Sequence, residues 1–203
     1  MNLCASNLFR HTSPGYRSRH AARQSTRPLP STMSNARNDD AWRTYPHTLL
    51  EFPECDAAAI DLRRPLEQGD RDLLRDLGLD QPFAVLTAEN PCSLHAEDSA
   101  SERDPATRED RNRERMAALV RLLDERDLHF VRVDGVAPDD SHREHSVAIL
   151  VDREDAVDLA RALDQLAMFW YDGHEFWLYP ARLERTPLRL PQPGAETSRA
   201  AGA

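Results

Sequence analysis

The sequence predicts an α+β fold, a single domain in which a mixed β-sheet carries two main amphipathic helices and ends in an aromatic β-hairpin. Three observations point to it. Short apolar runs alternate with helix-period stripes between residues 48 and 180. The run FAVLTA (83–88) is apolar at both parities, so both of its faces should be covered. MFWY and EFWLY flank Asp172-Gly173, a two-residue turn signal.

Taken in order, TLLEF (48–52) and AAIDL (58–62) read as short strands. LEQGDRDLLRDL (66–77) reads as a helix, with Gly78 as its C-terminal stop. Strand 83–88 leads into an acidic, serine-containing loop that runs to residue 106. The clearest helix starts after Pro105 with Thr107 as N-cap and continues to Arg126; Met116, Leu119, Val120 and Leu123 form its inner stripe. HFVRV (129–133) is the next strand, DGVAPDDSH supplies turn residues, and HSVAILV (145–151) returns antiparallel. A second helix over 153–164 turns Ala156, Leu159, Ala160 and Leu163 inward. A right-handed crossover through helix 107–126 would make strand 129–133 rise parallel to strand 83–88.

The ends differ in composition from the body. Residues 1–40 are expected to be a disordered basic segment, 41–185 the domain and 186–203 a disordered tail rich in Pro, Gly and Ala. The first 32 residues hold five arginines and no acid, a transit-peptide-like composition; a true start at Met33 is the favoured reading. The remaining chain sets 21 arginines against 35 acids, a net of −14. An acidic body excludes nucleic acid as partner, because neutralising phosphates needs a basic face. The chain has no lysine, so Schiff-base chemistry is excluded as well. Cys4, Cys55 and Cys92 are odd in number and lack a C-x-x-C spacing, which suits a reduced, cytoplasmic setting. No apolar run approaches the roughly 20 residues that cross a bilayer. No cofactor motif is present, and none is expected.

Strand direction is the main guide to a site. With 83–88 rising, its end gathers Thr87, Asn90, the helix start with Asn112 and Arg113, Asp134, His142, Arg143, Glu144 and Gln165 at one edge of the sheet. Ligand crevices open at such edges. Asn112 continues the stripe 112, 116, 119, 123, so its amide points inward and must find partners. Glu144, at a strand start beside apolar residues, is the candidate general acid or base; a salt bridge to Arg143 or Arg113 is the plainer role. Those two arginines are also the candidate anion contacts. A metal centre is not expected: His142, Glu144 and His145 invite one, with His95, His129 and Asp134 as possible additions, but alternation sends His145 to the face opposite His142 and Glu144, leaving two ligands at strand spacing where zinc needs three. Cys92 has no histidine placed to activate it, so an inert thiol is expected. Trp170, Trp177 and Tyr179 on the hairpin offer a surface for a protein partner or self-association.

The same positions carry a resemblance. TAENP (87–91), NR (112–113), DGVAPDDSHREHSVAI (134–149) and DQLAMFWYDGHEFWL (164–178), in that order, resemble the bacterial domain of unknown function 3293 family over residues 50–180. His145 and the acidic loop 96–105 depart from its pattern. The family has no established activity; the resemblance implies hallmark polar positions at Thr87, Asn90, Asn112, Glu144 and Gln165. Two expectations follow. Either this edge binds a small polar, anionic or nucleotide-like ligand, with or without catalysis, or the polar residues only fix the loop and the aromatic hairpin docks another protein.

Overall fold

The computed structural model describes residues 31–56, 58–90 and 105–192, all within one unit that begins at Ser31. Four helices, α1 (Ser31–Thr44), α2 (Gln68–Asp76), α3 (Pro105–Glu125) and α4 (Arg153–Ala162), accompany eight strands. The strands are β1 (Leu49–Phe52), β2 (Ala58–Asp61), β3 (Phe83–Leu86), β4 (Phe130–Val136), β5 (Arg143–Ile149), β6 (Ala167–Tyr171), β7 (Phe176–Pro180) and β8 (Leu188–Arg189). They form a single sheet in the order β2-β1-β4-β5-β3-β6-β7-β8.

The fold is α+β, but the sheet is antiparallel rather than mixed, since every ladder is antiparallel. β3 and β4 do point the same way, yet they are not neighbours. β5 lies between them, pairing Leu86↔Val147 on one side and Arg132↔Val147 on the other. The sequence could not reveal this, because a crossover helix the length of α3 reaches across one strand position or two. α4 makes the matching step: β5 and β6 both pair antiparallel with β3. The series β3-α3-β4-β5-α4-β6, with β4-β5-β3-β6 as its spatial order, is the split βαβ arrangement known as ferredoxin-like. β1 and β2 extend one edge of it, and β7 and β8 the other.

Alternation along the strands divides the core in two. Phe83, Val85, Val131, Val133, Ala148, Phe169 and Phe176 face Trp42 of α1 and Leu74 of α2. Ala84, Leu86, Val147, Ile149, Met168 and Trp170 face Leu119 and Leu123 of α3 and Ala156 and Ala160 of α4. All four residues of β3 are buried, as its double apolar parity requires. Helices pack on both faces of the central strands, while Arg132 of β4 and Ala59 of β2 stand exposed on the α3–α4 face.

Several local details differ from the sequence reading. α3 begins at Pro105, so Thr107 lies inside its first turn and is not the cap. α2 is capped by Glu67, whose side chain and that of Asp70 bond reciprocally to backbone N–H groups; Gly78 follows with a φ of 73°. The hairpin ladder ends at Tyr171↔Phe176, with Asp172 N–H donating to Glu175 O, so Gly173 and His174 are its central pair. Helix α1 spans the boundary drawn at residue 40 and buries Trp42 to 5% exposure. Among residues 38–44 only Trp42 is buried, which leaves no stripe to read. Likewise β8 pairs with β7, and Leu190 is 3% exposed, inside the segment expected to be a tail. Two alternating leucines are too short a pattern to stand out from their polar neighbours.

Candidate functional site

The chain leaves β3 through Thr87, Ala88 and Glu89, all buried, and turns at Asn90, whose φ of 45° is left-handed. Asparagine tolerates that conformation better than most residues. β5 starts alongside, α3 arrives with Asn112 and Met116 one turn apart, and the chain after α4 brings Gln165. The end of one central strand thus meets three other segments.

Hydrogen bonds join them into one network. Thr87 Oγ1 donates to His145 O at 2.7 Å and accepts from Glu89 N–H at 3.0 Å. Asn90 and Asn112 pair face to face: Asn90 N–H donates to Asn112 Oδ1 at 3.1 Å, and Asn112 Nδ2 donates to Asn90 Oδ1 at 3.0 Å. Arg115 Nη1 also donates to Asn112 Oδ1, at 3.1 Å. Asn90 Nδ2 donates to Glu144 Oε1 at 2.9 Å. Gln165 Nε2 reaches Glu89 O at 2.7 Å, and the Glu89 carboxylate takes both His145 N–H (3.3 Å) and His145 Nδ1 (3.0 Å). Met116 Sδ accepts from Ala88 N–H at 3.2 Å, which closes the underside.

Two carboxyl groups sit in this network. Burial pushes the Glu144 carboxyl above its ordinary range and the nearby Glu89 carboxylate adds to the rise, while donation by Asn90 and the His142 charge oppose it. Its Oε2 makes no hydrogen bond among the described residues. Glu144 is half-buried, so a proton on it can be exchanged with an arriving molecule. The arrangement sets a carboxyl group that holds its proton more tightly than usual beside a second carboxyl group bonded by donors from His145.

The residues singled out from sequence separate into two groups. Thr87, Asn90, Asn112, Glu144 and Gln165 meet in the network. Arg113 and Arg143 do not. Arg113 is exposed and pairs with Asp110 at 2.7 Å and Glu109 at 3.2 Å along its own helix. Arg143 joins Glu51 (2.7 Å), Asp134 (3.0 Å) and Asp140 (3.5 Å) on the β1–β4 side, and these acids raise its pKa still further above the usual range. Neither arginine is the partner of Glu144. Glu89, Arg115 and His145 also belong to the network; the sequence does not single out Glu89 or Arg115 and offers His145 only as a metal ligand. Glu89 lies past the last ladder residue of β3, where alternation no longer says which way a side chain points. His145 does leave its strand on the face opposite Glu144, but the turn at 89–90 bonds both.

Cys92, His95 and residues 96–104 of the acidic loop lie outside the described residues. Among the described residues no group of three or more His, Cys, Asp or Glu could hold a metal ion, and no helix is long and apolar enough to cross a membrane. On the hairpin, Trp170 is 7% exposed and packs against α3 and α4. Trp177 and Tyr179 are half-buried against the same core; Trp177 Nε1 donates to Asp172 Oδ2 at 2.8 Å, and the Arg153 guanidinium lies over the Tyr179 ring at 5.4 Å.

Residues 86–168 match the family described as Protein of unknown function (DUF3293), and this segment, which carries every member of the network, resembles that family. No curated protein and no solved structure was found to match the chain.

Proposed function

We propose that the polar end of β3 binds a small polar ligand through Glu144, Asn90 and Asn112, with Thr87 and Gln165 shaping the turn that presents them. The observation that carries this reading is Glu144 itself. A half-buried carboxyl with one oxygen bonded to Asn90 and the other unengaged among the described residues is a poor choice for a merely structural role, because an amide or an apolar group there would avoid the cost of burying a charge. The ligand is uncharged or cationic, a nucleoside or amine rather than a phosphate ester. Arg113 and Arg143, the candidate anion contacts, are engaged by acids elsewhere, and the one guanidinium in the network, that of Arg115, donates to Asn112 beside the carboxyl groups of Glu144 and Glu89. The alternative, docking of a protein through the aromatic hairpin, loses Trp170 to the core.

Thermal unfolding of the full chain against nucleosides, amino acids, amines, sugars and phosphorylated counterparts tests this. A ligand at about a hundred times its Kd stabilises by roughly 2.7 kcal/mol, several degrees in midpoint for a domain of this size. The expected result is a shift with an uncharged or cationic compound that Glu144→Gln abolishes. Shifts only with phosphorylated compounds, or none at all, would reject the reading.

A further inference from the structure

From the bonds that surround its ring, we infer that His145 is a catalytic residue, the proton acceptor for a water or hydroxyl nucleophile at this strand end, and that Glu89 is its positioning residue. This deepens the ligand-site reading and rests on it for the molecule acted upon.

The argument starts at Glu89. Its side chain is 8% exposed, whereas that of His145 is 65% exposed. One carboxylate oxygen takes the His145 backbone N–H and the other takes Nδ1. A carboxylate only accepts, so this bond requires the ring proton on Nδ1 and leaves the lone pair on Nε2. Glu89 is held through its backbone as well. Its N–H is held by Thr87 Oγ1, its carbonyl by Gln165 Nε2, and Thr87 Oγ1 also donates to His145 O. Nε2 makes no hydrogen bond among the described residues. A buried carboxylate, fixed at every polar atom, therefore orients an exposed imidazole with its basic nitrogen outward, the arrangement that general-base histidines use. In the step itself the Nε2–H bond forms as the nucleophile's O–H bond breaks. The electron pair stays on the nucleophile's oxygen, and the Glu89 carboxylate offsets the positive charge on the ring.

The test uses an isosteric change with a defined consequence. In Glu89→Gln only one oxygen remains, and the His145 backbone N–H, an obligatory donor, claims it. The amide NH2 then faces Nδ1 and donates to it, which moves the ring proton to Nε2 and removes the basic nitrogen from solvent. Two measurements on the full chain read this out: ring ¹⁵N NMR of neutral His145, and release of nitrophenolate from p-nitrophenyl acetate, an activated ester accelerated by unprotonated imidazole nitrogens. The wild type should show Nδ1–H with a bare Nε2. Glu89→Gln should show the reverse tautomer, and it and His145→Gln should both lose about tenfold or more of the ester rate. His174→Gln, at the remote hairpin turn, should keep it. A wild type protonated on Nε2 overturns the proposal without any variant, as does Glu89→Gln or His145→Gln at the wild-type rate. Neither readout needs the natural ligand. A silent ligand panel with a reactive His145 would reject the ligand classes proposed above, and a ligand hit with an inert His145 would reject catalysis alone.

Discussion

Glu144 and Asn90 are the side chains whose substitution separates a site from a scaffold. Burial and Glu89 raise the Glu144 carboxyl above its unfolded value of about 4.3. The folded chain therefore holds a proton that the unfolded chain would release, and stability falls as pH rises from about 4.3 through the folded value. Glu144→Gln carries no charge and keeps an oxygen for Asn90. Its unfolding midpoint should equal that of the wild type near pH 4 and exceed it near pH 8, whereas a loss of about 1–3 kcal/mol at both would mark a purely structural carboxyl. Asn90→Ala removes two side-chain bonds, keeps the backbone N–H that bonds Asn112, and forces alanine into a left-handed φ of 45°. Asn90→Gly removes only the side-chain bonds, so urea unfolding should find it less damaging than alanine by about 1 kcal/mol. Thr87, Asn90, Asn112, Glu144 and Gln165 could be named in advance because strand and helix directions are written in hydrophobic periodicity. Glu89 and Arg115 could not. Their roles depend on how a turn and a helix surface lie in space, and no short-range pattern encodes that.

Among the elements, the β6–β7 hairpin shows how a local signal can be strong and still misplaced by one residue. The pair Asp172-Gly173 announces a turn, yet Asp172 acts by its side chain. Oδ1 accepts from His174 N–H and Glu175 N–H, both at 2.9 Å, and Oδ2 from Trp177 Nε1. Burial opposes ionisation of this carboxyl, but these donors outweigh it and lower its pKa. Its contribution is therefore present above the unfolded value of about 3.9 and lost as pH falls through the lower folded value. Asp172→Asn, which turns an NH2 toward the Trp177 N–H, should cost about 1–3 kcal/mol at neutral pH, and the difference should shrink in acid. Chemical denaturation at several pH values, with the Trp177 indole N–H followed by NMR, would check both points. A cost that stays constant with pH would contradict the assigned charge.

For the whole molecule, the decisive feature is a second core on the sheet face opposite α3 and α4. A bare split βαβ unit leaves that face free; here α1, α2 and the β7–β8 edge pack on it, with Trp42, Leu74 and Leu190 on that side. The integrity of this second core depends on residues near Leu190. Leu190→Ala should cost about 2–5 kcal/mol in thermal or urea unfolding, as for any fully buried leucine. A near-neutral result would mean that residues 186–192 are the loose tail their composition suggests. The sequence by itself determined the α+β class, the order of the central strands and helices along the chain, and the strand directions that carry Thr87, Asn112 and Glu144 to one end, because periodicity and turn chemistry are short-range properties. Tertiary structure alone decided that β5 enters between β3 and β4, that α1 and β8 join the core, and that buried Glu89 holds His145. Each of these depends on which surfaces remain to be covered once the local elements exist, and that choice is made by packing across the whole chain.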